Sequence, residues 1–311
     1  MKLFSGTANL PLAQKVSKIL DLPISSSEVV RFDNSEVRVR IEDDVRGETA
    51  VVIQPTANPS GTNLMELFFF CDALHRQEAR RVIAVIPYFG YARQNIQHRP
   101  GECVSVNVIV RFLEALRIAK VYAFDLHDEA TEGVFSIPFK HATAFDSLAN
   151  RVKEYVGHEV NDDTVAVVSP DQGGIERARH FADYFFEKAE HGLTVIEKKR
   201  NLESPHSSRA LSMYGNIEGK TAIIVDDIVT SAGTLINAAD LCIQKGAKRV
   251  IAAISHHDFS EKAPSRIQES AIEKFFTTDS LYLRPEQKFD KLEEITIAPR
   301  IADEISRFKK D

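Results

Sequence analysis

The sequence predicts an α/β fold made of two tandem, duplicated domains, each a mainly parallel sheet flanked by helices. Three observations carry this. Short β-branched runs alternate with segments of helical period along the chain. Most of those runs are apolar throughout, as strands covered by helices on both faces must be. The chain also repeats itself: ETAVVIQPTANPSGTNLMEL (48–67) lies over KTAIIVDDIVTSAGTLINAA (220–239), matching Thr49 with Thr221, Gly61 with Gly233 and Thr62 with Thr234 at one constant offset. After a short gap, ARRVIAVI (79–86) lies over AKRVIAAI (247–254). Matched apolar strands alone could arise by chance; the shared Gly-Thr and the second strand point to duplication.

The elements follow in order. Strands are expected at VVIQP (51–55), RVIAVIP (81–87), KVYAFDL (120–126), VAVVSPD (165–171), LTVIEK (193–198), TAIIVDD (221–227) and RVIAAIS (249–255). Amphipathic helices are expected at Leu64–Gln77, Val106–Leu116, Glu176–Ala189 and Leu235–Lys245. The domains are expected at residues 1–143 and 144–311, with the last helix packing back on the first domain. A chain of 311 residues, 43% of them hydrophobic, can build two real cores. A net charge of −6 argues against a nucleic-acid partner held by bulk charge. Cys71, Cys103 and Cys242 have no metal-ligand spacing and read as reduced thiols of a cytoplasmic protein. The start, MKLFSGTANLPLAQ, has no signal-peptide pattern. The most apolar run, Leu67 to Cys71, is too short to span a membrane, so no membrane partner is expected.

The two copies differ at one place. Gln54 and Pro55 stand in the first where Asp226 and Asp227 stand in the second. The duplicated fold is needed in both halves, the acid pair in one, so the pair serves chemistry. Ligands of open parallel sheets bind beyond the carboxyl ends of the strands, and the pair is expected at such an end. Two adjacent carboxylates can accept hydrogen bonds from two vicinal hydroxyls, as on a ribose. The small residues Thr230, Ser231, Ala232, Gly233 and Thr234 then lead into a helix, whose first amides and dipole would cradle a phosphate. Carboxylates for a diol beside donors for a phosphate describe a ribose 5-phosphate site. An ordinary acidic helix cap is the plain alternative, but paired acids there repel without a bound partner.

VDDIVTSAGT resembles the phosphoribosyl-binding motif of type I phosphoribosyltransferase folds. Two such domains in tandem resemble the ribose-phosphate pyrophosphokinases. The likeness extends to RFDNSEVRVRI (31–41), VRGETAVVIQ (45–54), PYFGYARQ (87–94), DLH (125–127), SPDQGGIERAR (169–179) and EKKR (197–200). It implies transfer of the pyrophosphoryl group of ATP to the C1 hydroxyl of ribose 5-phosphate, releasing AMP, a reaction of nucleotide biosynthesis. It implies that Lys198 and Arg200, after a strand and before a mobile lid NLESPHSS (201–208), stabilise the transferring group. His127 and Asp171 are the implied ligands of the Mg²⁺ of Mg-ATP. Arg93, Gln94, Phe32, Asn34 and Glu36 are the implied ATP contacts, the last three reaching the nucleotide of a neighbouring subunit. That makes the protein a homo-oligomer, dimer or hexamer, with a shared active site. Read without the family, EKKR is a solvated charge run, His127 a polar strand cap, Asp171 a turn residue and Phe32 plain core; Asp125 is structural or a partner of His127.

Thr230, Asn107 and Gln172 depart from the pattern better known from bacteria and animals, where aspartate, lysine, and histidine or alanine are common. Archaeal members resemble this chain in segments like RPGE (99–102) and EKKR, and also lack the loop aspartate. The departures leave open the acceptor, phosphate activation and ADP inhibition. A larger ester such as ADP-ribose, a nucleobase phosphoribosyltransferase activity and a catalytically silent regulatory subunit are the alternatives.

Overall fold

The computed structural model describes residues 1–157, 160–188, 191–200 and 208–310. It divides into two compact units: Met1–Thr143 with Ser280–Tyr282 and Thr296–Asp311, and Ala144–Asp279 with Leu283–Ile295.

The first unit holds β1 (Lys2–Ser5), α1 (Leu10–Leu20), β2 (Ser27–Arg31), β3 (Val37–Ile41), β4 (Thr49–Ile53), α2 (Ser60–Arg76), β5 (Arg81–Ile86), α3 (Ser105–Ala115), β6 (Lys120–Phe124) and β7 (Phe139–Ala142). A parallel sheet runs in the order β1-β4-β5-β6-β7, and β2 and β3 form a separate antiparallel ribbon. The run Thr-Ala-Val-Val-Ile of β4 is buried along its whole length, which fits a central strand covered on both faces. Leu67, Phe70, Cys71 and Leu74 repeat at helical spacing and bring α2 into the core over that strand. Asn9 caps α1, its side chain accepting from the Leu12 amide.

The second unit holds α4 (Phe145–Val156), β8 (Val165–Ser169), α5 (Ile175–Phe186), β9 (Leu193–Arg200), β10 (Ser208–Tyr214), β11 (Thr221–Val229), α6 (Gly233–Gln244), β12 (Arg249–His257), α7 (Ala263–Glu269), β13 (Ile272–Thr278) and β14 (Leu292–Ile295). Its sheet runs β10-β9-β8-β11-β12-β13-β14; β10 pairs antiparallel with β9 and the other pairs are parallel. On one face α5 packs Ala178, Phe181, Ala182 and Phe185 onto Val167, Ile223 and Val225. On the other, α6 packs Leu235, Ala238, Ala239 and Cys242, and α7 packs Ala263 and Ile267. The last helix, α8 (Ala298–Ser306), belongs to the first unit and lies against α1.

Two strand ends differ from expectation in ways that matter. β9 does not stop at Lys198: pairing with β10 carries it through Arg200, opposite Ser208. β11 does not stop at Asp227 but continues to Val229, because β12 remains alongside it.

Candidate active site

The position of the acid pair follows from unequal strand lengths. β8 flanks β11 only from Thr221 to Ile224, whereas β12 stays paired as far as Val229 opposite His257. Asp226 and Asp227 therefore lie inside the strand, on a stretch that has outrun one neighbour. The carboxylates are held by Arg177, from the first turn of α5, whose Nη2 lies 3.1 Å from Asp226 Oδ1 and 3.2 Å from Asp227 Oδ1. Asp227 is buried, and the Asp226 side chain keeps 16% of its surface exposed.

Asp171 stands beyond the end of β8, where its Oδ1 accepts from the Gly174 amide at 3.1 Å. Gly174 keeps this turn close to its neighbours: a Cβ would fall 2.8 Å from Ser169 Oγ and 3.6 Å from Arg177 Nη2. The turn thus lets the guanidinium pass close to the backbone on its way to the acids.

Electrostatics separates the two acids from their surroundings. Burial, then the charge of Asp227, pushes the Asp226 carboxyl up to about 7, against the pull of Arg177. Burial works against the charge of Arg177, but Asp227, Asp226 and Asp171 outweigh it and raise its pKa. Three carboxylates face one guanidinium. This surplus of acceptor oxygens suits hydroxyl donors or a hard cation.

The loop after β11 is fastened on its outer side. The Thr230 carbonyl accepts from the Ser260 amide at 3.1 Å, and the Ser231 carbonyl from Arg266 Nη1 at 2.6 Å. Ala232 is buried in the left-handed region, φ +62°, and Gly233 and Thr234 open α6. The first amides of that helix have no intrahelical carbonyl to bond.

The remaining expected residues divide between the units. In the first, Phe32, Asn34 and Glu36 occupy the turn between β2 and β3. Phe32 is 44% exposed with the Arg38 guanidinium 5.8 Å from its ring, so the core alternative for it is wrong: a two-stranded ribbon has no layer to cover that tip. Asn34 Oδ1 accepts from the Glu36 amide at 3.1 Å. Arg93 is exposed, and Gln94 helps to start α3, its Oε1 accepting from Ser105 Oγ at 2.5 Å. β6 stops at Phe124, three residues short of His127, so His127 stands in the connection after the strand; Asp125 accepts from Thr143 Oγ1 at 2.7 Å. In the second unit Lys198 and Arg200 lie on β9, and their side chains fall outside the described ones. The expected lid, 201–208, falls outside the described residues up to 207.

Three residues of the site escaped the sequence reading: Arg177, Ser260 and Arg266. Arg177 left a signal, a charge four residues before Phe181 on the stripe that α5 buries. Ser260 and Arg266 left none, because only the fold brings the segment after β12 to the loop after β11.

The chain matches two family models: the N-terminal domain of ribose phosphate pyrophosphokinase over residues 1–116, and the phosphoribosyl transferase domain over residues 141–280. It is 40% identical over 311 residues to a ribose-phosphate pyrophosphokinase of Thermosipho africanus, covering 100% of this chain and 95% of that protein. The chain belongs to the ribose-phosphate pyrophosphokinase family. A second relative of that name, from Fusobacterium nucleatum, is 38% identical over 307 residues, covering 99% of this chain and 94% of its own. The crystal structure of phosphoribosylpyrophosphate synthetase from Mycobacterium smegmatis superposes with a TM-score of 0.90 at 33% identity, over 100% of this chain and 99% of that one. The duplicated parallel sheets are thus those of the ribose-phosphate pyrophosphokinases, and the chain is an enzyme of that family.

Proposed function

We propose that this enzyme transfers the pyrophosphoryl group of ATP to the C1 hydroxyl of ribose 5-phosphate, giving 5-phosphoribosyl 1-pyrophosphate and AMP. One observation carries the reading: the surplus of carboxylates where β11 outruns β8, beside a small-residue loop that opens a helix.

Asp226 and Asp227 accept from the vicinal hydroxyls of the ribose, while Thr230, Ser231, Ala232, Gly233 and Thr234 take the 5-phosphate on backbone amides and hydroxyls. A sugar held at both ends presents its C1 oxygen to the β-phosphorus of ATP in one orientation, removing much of the entropic cost of the encounter. Arg177 draws the Asp226 carboxyl toward its ionised, accepting form, against burial and the charge of Asp227. The C1 oxygen forms the new bond to the β-phosphorus as the bond to the α-phosphate oxygen breaks; AMP carries that oxygen away and the hydroxyl proton passes to solvent. Lys198 and Arg200 meet the charge that gathers on the transferring group.

A carboxylate is the side-chain ligand that magnesium prefers. Among the described residues no three His, Cys, Asp or Glu side chains converge on one point. Mg²⁺ needs only one or two carboxylates when phosphates and waters complete its shell. Asp171 would supply a carboxylate ligand, and the ion, when bound, would neutralise and orient the phosphate oxygens of ATP. Arg93 and Gln94 contact ATP, and Phe32, Asn34 and Glu36 contact the adenine held by a neighbouring copy, which makes the working form a homo-oligomer. No helix among the described residues is long and apolar enough to cross a membrane. We place the enzyme in the cytoplasm, where its free thiols stay reduced.

The test is product identity. With Mg-ATP and ribose 5-phosphate, AMP and 5-phosphoribosyl 1-pyrophosphate should form in equal amounts, and Lys198→Ala should lower turnover roughly 100- to 1,000-fold. Release of ADP in place of AMP sinks the proposal.

A further inference from the structure

We infer that Arg266 is a positioning residue for the ribose 5-phosphate loop, setting the direction of its amides without touching the substrate. The inference rests on the role proposed above for Thr230–Thr234.

A trans peptide is planar, with its carbonyl and its N–H pointing opposite ways. Whatever grips the carbonyl of one residue therefore aims the amide of the next. In this loop two successive carbonyls are gripped from the segment after β12. Thr230 O accepts from the Ser260 amide at 3.1 Å and from Ser260 Oγ at 3.4 Å, which turns the Ser231 N–H away. Ser231 O accepts from Arg266 Nη1 at 2.6 Å, which turns the Ala232 N–H the same way round. The other arm of the guanidinium runs along the loop, with Nη2 3.8 Å from where a Cβ on Gly233 would stand.

The loop needs such a grip. Ala232 holds φ +62°, a region that costs an L-residue roughly 1 kcal/mol. Without an outside bond the Ser231–Ala232 peptide can relax out of that conformation, and the Ala232 amide then leaves the cradle. Arg266 can hold it because α7 is itself fixed: Ala263 and Ile267 are buried in the core that also takes Leu235 of α6. A charged donor on a carbonyl makes the stronger kind of hydrogen bond. The work is thus divided. Arg266 fixes the peptide from behind, and the amides meet the phosphate from in front.

The test is Arg266→Met, with Arg266→Lys beside it, in the full-length enzyme. Arg266 is exposed and outside the buried cores, so both variants should melt within a few degrees of the parent. Arg266→Met should raise KM for ribose 5-phosphate about 10-fold and leave KM for ATP within about 2-fold. Calorimetric titration of the unreacted enzyme with ribose 5-phosphate alone should show the same loss, and Arg266→Lys should recover most of it. An unchanged KM for ribose 5-phosphate in Arg266→Met overturns the inference, as does an equal rise for both substrates. A parent enzyme that binds ribose 5-phosphate but releases no AMP would instead count against the proposed reaction and leave the calorimetric comparison intact.

Discussion

The two copies of the duplicated stretch treat their polar groups in opposite ways. In the first, Gln54 and Glu66 are both fully buried, and the chain itself satisfies them. Glu66 accepts from the Thr7 amide at 2.6 Å, Thr7 Oγ1 at 2.7 Å, Gln54 Nε2 at 3.1 Å and Arg31 Nη2 at 2.6 Å, and Gln54 Oε1 accepts from the Ala8 amide. Gly6 leaves the room: a Cβ there would fall 2.1 Å from Gln54 Oε1. In the second copy, Asp171, Asp226 and Asp227 share one guanidinium, and the loop after β11 opens a helix. One copy has closed its site with its own side chains; the other keeps charge and donors for a visitor. Duplication supplied the scaffold twice, and local satisfaction decided which copy could still bind.

The comparison can be broken most severely from the closed side. Gln54→Glu would set a second carboxylate against Glu66, which already takes the Arg31 guanidinium, and the midpoint of urea unfolding should fall by an amount worth about 3 kcal/mol. An unchanged midpoint would show that the first copy is not closed in the way described.

On the open side, Asp226→Asn should lower turnover with ribose 5-phosphate about 100-fold, or about 2.7 kcal/mol of barrier. It should not lower stability at pH 8. The folded-state pKa of Asp226 lies above its ordinary 3.8, so its protonated form favours folding. That contribution is complete below about pH 4 and lost as pH rises through about 7, so the ionised form burdens the folded enzyme at pH 8. A variant that unfolds more readily than its parent at pH 8 contradicts this.

A smaller effect follows for ligand binding. Protonated Asp226 accepts fewer hydrogen bonds, so ribose 5-phosphate affinity should weaken up to about 10-fold per pH unit below 7. The sugar phosphate titrates near pH 6 as well. Calorimetry from pH 8 to 5.5 should therefore show a shallower decline in Asp226→Asn than in the parent, and identical slopes would remove Asp226 from the pH response. Smallest is Ala232→Gly. Relief of the left-handed backbone is offset by the greater freedom of unfolded glycine, so stability should change by less than about 1 kcal/mol in thermal melts. A larger loss would mean that the Ala232 methyl, not the backbone, anchors the turn.

Much of the architecture was legible because each apolar run was long enough to declare its period. Val51 to Ile53 and Ile223 to Val225 carry β-branched side chains throughout, Ile83 to Ile86 breaks the run only at Ala84, and no helix start competes with them. The short strands were not legible: Leu292–Ile295 pairs through two glutamates, and Phe139–Ala142 contains Lys140 and His141, so neither shows an apolar run. The antiparallel β10 was missed because it follows a polar stretch, and the continuation of β9 because EKKR reads as loop chemistry until a partner strand lies beside it. Of the candidate site, the acids and the loop stood out as a departure from the duplicated pattern. Arg177, Ser260 and Arg266 did not, since each comes from a segment remote in sequence.

By itself the sequence determined the class of fold, the duplication and the asymmetry between Gln54-Pro55 and Asp226-Asp227, because hydrophobic period and residue type are local quantities. The tertiary structure alone decided that β11 outruns β8, that Arg177 bridges the two acids and that Arg266 holds the loop from behind. Those are matters of strand length, helix phase and the approach of distant segments, and they exist only once the chain has packed.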